Sequence, residues 1–138
     1  MHVHEITDAD RRFRYDVEAF AVSPAAFNHE AHVRLAYVYL AEADVESAVQ
    51  RMRDALLAFL DHHNLPLAKF HETLTRSWIL ALRHFMNKAG SESATDFIAR
   101  HPELLDAGIM LTHYSAQALF SDEARSAFVE PDLDPIPW

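Results

Sequence analysis

The chain has 138 residues, half of them apolar, with no cysteine and a formal net charge of −9. That length and apolar content suit one domain with a hydrophobic core rather than a disordered chain, and the missing cysteines exclude disulfides, thiolate zinc sites and cysteine nucleophiles. The acidic balance speaks against nucleic acid, whose phosphates call for a basic surface, and against anionic lipid.

Residues 1–22 read as an N-terminal segment, with His2 and His4 in a frayed terminus. Their polar, acid-bearing start, MHVHEITDADRRF, does not resemble a signal peptide. No apolar run reaches the roughly 20 residues of a membrane span, so a cytoplasmic protein is expected. Only two glycines occur, Gly90 and Gly108, and long stretches repeat with the 3.6-residue period. Both features predict an all-α fold. A first helix starts from Ser23 and Pro24 and runs to about Glu42. Asp44 caps a second, over VESAVQRMRDALLAFLDHH, which breaks at Asn64–Pro66. A third starts near Leu67 or Ala68 and ends at Gly90 as the residue past its C-terminus. A fourth covers SESATDFIARH, capped by Ser91 or Ser93. PELLDAG, HYSAQALF and SDEARSAFV predict short helical pieces, the last capped by Ser121. Residues 129–138 are proline-rich and predict an extended surface strap anchored by Ile136 and Trp138. The whole is a single domain, a compact helical bundle with its core in 23–128.

Long helices joined by short loops pack antiparallel in sequence order. The N-terminal ends of the first and third predicted helices then meet the C-terminal end of the second. This matters because of where the ten histidines fall. At 100° per residue, His29, His32, Val33, Ala36 and Leu40 share one stripe. Ala48, Val49, Met52, Leu56 and Phe59 form the second, which His63 continues. His71, Leu74, Thr75, Trp78, Leu82 and Phe85 form the third, with Glu72 flanking. The bundle order brings His29, His32, His71 and His63 to one end, with Glu30, Glu72 and Thr75 nearby.

Such a set suits a mononuclear transition-metal site for zinc, iron, manganese or copper. His29, His32 and His71 would ligate, His63 standing in reserve. Glu72 would be fourth ligand or general base, and Thr75, Glu30 and Trp78 would face a substrate or orient a ligand. No organic cofactor is expected. A small metal-dependent enzyme or metal-binding protein acting on a small molecule follows, with a homo-oligomer compatible. The di-iron Glu-x-x-His pair and the His-Glu-x-x-His protease motif are both absent. The alternative is a metal-free ligand-binding or protein-interaction module whose histidines hydrogen-bond within a polar core. A Ser/His/acid arrangement at His113-Tyr114-Ser115 lacks a nucleophile-elbow sequence. Arg34 and Arg76 suit ion pairs, or contacts to an anionic group.

The stretches FNHEAHVRLAYVYL, KFHETLTRSW and YSAQALFSDEARSAFVEPDLDPIP resemble a family of small uncharacterised bacterial helical proteins. The shared pattern is Phe-x-His-x-x-His, then His-Glu-Thr-x-Thr, then a Pro-Asp-Leu tail, covering most of the chain from Phe27 on. The resemblance implies that these stretches matter together. It implies no activity and no substrate.

Overall fold

The first helix, α1 (Asp8–Glu18), lies inside the N-terminal segment, ahead of the helix expected to come first from Ser23 and Pro24. Its signal is Thr7-x-x-Asp10. The Thr7 hydroxyl accepts the Asp10 N–H, and the Asp10 carboxylate accepts the Thr7 N–H. Val17 is buried and Phe13 packs against the core one turn earlier. The computed structural model describes residues 2–137. His4 is not in a frayed end. It is half-buried, its ring bonded to the Ser91 hydroxyl and the Met86 carbonyl.

The second helix, α2 (His29–Glu42), starts five residues later than Ser23 and Pro24 suggested. Residues 23–27 close a separate turn on the Ser23 carbonyl. Asn28 is extended and its side chain accepts the Ala31 N–H, so it takes the cap. Beyond its histidines α2 is apolar almost all round. Leu35, Tyr37, Val38 and Tyr39 are as buried as the expected stripe. A helix of that kind is central, and α2 meets α1, α3, α4 and α5.

Asp44 caps α3 (Val45–His62) as its position suggests. Asn64 closes it in the left-handed region at φ 56°, a conformation Asn tolerates, and Leu65 returns its N–H to Leu60. The predicted third helix divides. Leu67–Lys69 make one 3₁₀ turn, Phe70 and His71 are extended, and α4 (Glu72–Met86) begins after them. It also ends before Gly90. That glycine serves close approach instead, because a Cβ there would sit 2.7 Å from the Val3 carbonyl oxygen.

Ser93 caps α5 (Ala94–Arg100), followed by 3₁₀ turns at Pro102–Leu105 and Ala107–Thr112. Ser115 caps α6 (Ala116–Leu119), and Ser121 caps α7 (Asp122–Ser126). No strand occurs among the described residues beyond one isolated bridge, His4 with Ser91. After α7 the chain runs as an extended strap. The Thr73 hydroxyl donates to the Ala127 carbonyl and accepts the Val129 N–H. Tyr114 donates to the Val129 carbonyl at 2.6 Å, and Ser115 clamps Asp132 through both hydroxyl and amide. Ile136 is buried beside Leu80, Met110, Tyr114 and Leu119. The expected anchor Trp138 lies outside the described residues.

Candidate functional site

The mutual packing of α2, α3 and α4 leaves a cavity of about 580 Å³ between them. Its walls are the stripes that helical periodicity picks out: Val33 and Ala36, then Met52, Leu56 and Phe59, then Leu74, Trp78 and Leu82. His29, His32, His71 and Thr75 line it as well.

His29 opens α2, and its Nε2 donates to the Leu104 carbonyl at 2.9 Å. Its ring meets the Trp78 ring edge-on, 4.7 Å between centroids. One turn on, His32 Nδ1 donates to the Asn28 carbonyl at 2.8 Å. Its ring stacks on Phe27, which packs on Phe59. Burial holds the His32 pKa below the usual imidazole range, so the ring is neutral. A carbonyl only accepts, so each ring carries its hydrogen on the nitrogen facing that carbonyl. The other nitrogens are Nδ1 of His29 and Nε2 of His32, the latter a bare lone pair because that ring is neutral. Neither has a hydrogen-bond partner among the described residues.

His71 differs. It is the N-cap of α4, a role usually taken by Ser, Thr, Asp or Asn. Its Nδ1 accepts the Leu74 N–H at 3.1 Å and its Nε2 donates to the Leu119 carbonyl at 2.7 Å. Both nitrogens are spent, and burial depresses its pKa. Thr75 gives its hydroxyl hydrogen to the His71 carbonyl at 2.8 Å.

Three expected members stand apart from the cavity lining. Glu72 points to Arg53 on α3, which holds both its carboxylate oxygens, so it is not free as ligand or base. Glu30 is exposed and does not line the cavity. His63 follows α3 and packs on Phe59 at 4.4 Å, outside the lining, with its Nε2 buried and unpartnered among the described residues.

The residues therefore fit a metal only in part. His29 and His32 have the arrangement seen in ligating histidines, one N–H held by a carbonyl and the other nitrogen bare. His71 and Glu72 do not. Among the described residues no three His, Asp or Glu side chains are grouped to hold an ion.

Elsewhere, Ser115 is committed to Asp132 while His113 donates to the Asp134 carbonyl, so no triad is assembled there. Arg34 pairs with the buried Asp10 and Arg76 with Glu46. Sequence reasoning missed Asn28, Phe27 and Leu104 as partners of the histidines. The first two carried a signal in FNHEAH, a cap residue preceded by an aromatic. Leu104 carried none, since its part is a carbonyl 75 positions from His29.

Fold and site together define a helical bundle with a histidine-bearing apolar cavity. No family model matches the chain, and no curated protein or solved structure matches it. No helix of the described residues is long and apolar enough to cross a membrane.

Proposed function

We propose that this protein binds a small, mainly apolar molecule in the cavity between α2, α3 and α4, with His29 and His32 as its polar recognition groups. One observation carries the reading. Two imidazole nitrogens without hydrogen-bond partners among the described residues, on His29 and His32, belong to the mainly apolar lining of a cavity of about 580 Å³. Small-molecule sites have this composition: mostly hydrophobic walls and a few fixed polar groups that set orientation. The rings are held by backbone carbonyls and by aromatic contacts, stacked for His32 and edge-on for His29, so they are ordered before a ligand arrives. Screening a library of small apolar compounds by NMR should give saturable one-to-one binding, with shifts at His32, Trp78 and Leu56. The variant Leu56→Trp should fill the cavity and abolish those shifts while keeping the fold. A library without a single saturable binder would sink the proposal.

A second reading, transition-metal binding, is favoured by the carbonyl-held N–H of His29 and His32. A third nitrogen would require His71 to give up either Leu74 or Leu119. Elemental analysis of protein purified without a metal-affinity tag separates the two. One equivalent of metal that disappears in the His29→Phe/His32→Phe double variant supports the second reading. Metal-free protein that still takes apolar compounds supports the first.

A further inference from the structure

The polar capacity left over in the cavity has a sign. His71 has spent both nitrogens, and Thr75 has spent its only hydrogen. What remains is mostly lone pairs: Nδ1 of His29, Nε2 of His32 and the Thr75 hydroxyl oxygen. Among the lining side chains that are not exposed, the spare donor is the Trp78 indole N–H, which has no hydrogen-bond partner among the described residues. Asn28 and Lys69 also border the cavity, but both are exposed, where water competes for their hydrogens.

We infer that the molecule bound here is an uncharged alcohol or phenol, an apolar body whose hydroxyl donates to a ring nitrogen of His29 or His32. This rests on reading the cavity as a ligand site. A hydroxyl carries one hydrogen and two lone pairs, so it both donates to an imidazole and accepts from an indole. A plain hydrocarbon of the same shape fills the volume but leaves the dehydrated ring nitrogens unpaired. A carboxylate fares worst. It brings acceptors only, loses its water, and meets the lone pairs of the histidine side chains where it needs hydrogens. Proton transfer from solvent could turn His32 into a cationic partner for it, but the burial that keeps that ring neutral opposes this.

The test is calorimetry at pH 7.5 on the full chain with three matched compounds: 4-propylphenol, propylbenzene and 4-propylbenzoate. The phenol should bind at least tenfold more tightly than propylbenzene, and the benzoate more weakly than either. His29→Phe and His32→Phe keep a ring of similar size and remove the acceptor. The pair of variants should reduce the phenol preference to under threefold while propylbenzene still binds. Equal affinity for phenol and hydrocarbon, or a benzoate that matches the phenol, overturns the inference and leaves the cavity reading standing. Failure of all three compounds to bind at their solubility limits overturns both. If a variant does not fold, the three affinities of the unaltered protein decide alone.

Discussion

A histidine serving as helix cap uses its ring the way Asp or Ser uses an oxygen, and His71 does so while its other nitrogen reaches across to α6. The two bonds demand one state, hydrogen on Nε2 and a lone pair on Nδ1. The residue is 7 % exposed, so neither partner is replaced by water when the ring is removed. His71→Ala should therefore lose a cap and orphan the Leu119 carbonyl, a cost of roughly 2–4 kcal/mol in urea unfolding. His71→Asn should recover only the cap part, since its side chain does not reach Leu119. Equal stability of the Ala variant and the parent would show that the ring is not holding α4 to α6. The sequence pattern His-Glu-Thr-x-Thr thus gains a structural meaning that does not involve a metal. His71 caps α4, Glu72 ties it to Arg53, Thr73 holds the strap, and Thr75 bonds back to His71.

Among the elements, the strap depends on α4 more than its prolines suggest. Thr73 is fully buried and meets the strap twice, donating at 3.0 Å and accepting at 3.2 Å. Thr73→Val keeps the shape and removes both bonds, leaving two backbone groups unpaired at a cost of roughly 1–3 kcal/mol. Limited proteolysis should then cut near Phe128 or Leu133 sooner than in the parent, while the α2–α4 body stays intact. Unchanged cleavage would mean that Tyr114 and the Ser115–Asp132 clamp suffice. The same element scale shows what was legible in the sequence. Asp44, Ser93 and Ser121 announce their helices because a capping side chain acts locally. The three stripes announce the cavity walls because periodicity is local too. Helix α1 keeps the helical period, and Thr7 and Asp10 form a capping box, but its few apolar residues stand among many charged ones and draw little attention to the Phe13–Val17 turn. The starts of α2 and α4 read too early because Ser23-Pro24 and Leu67-Ala68 do form turns, and only the extended Asn28 and His71 reset the helix. The commitments of Glu72 to Arg53 and of His29 to Leu104 join distant stretches of chain. No local pattern encodes them.

For the whole molecule, the histidines set how stability responds to acid. Burial lowers the pKa of His4, His32, His71, His84 and His101 in the folded protein. In the unfolded chain each returns to about 6.5. As pH falls through that value the unfolded state takes up protons first, so stability is complete above it and declines toward the lower folded values. Carboxylates act later. Burial alone would raise the Asp10 pKa, but hydrogen bonds from the Ala94 and Thr7 amides and from Arg34 outweigh it and leave the pKa low. Its contribution is present above about 4 and is lost below that. A third effect runs the other way. The chain carries a formal charge of −9, and protonation relieves its self-repulsion. Five depressed histidines, two of them bonded through both ring nitrogens, should outweigh a diffuse surface repulsion that salt already screens. Urea unfolding in about 0.15 M salt should therefore show a loss of stability between pH 7 and pH 5, before the carboxylates titrate. His71→Asn should flatten part of that slope, because the variant has one fewer imidazole to protonate on unfolding. Stability that holds level or rises over this interval would mean that charge repulsion, rather than buried imidazole, governs the acid response.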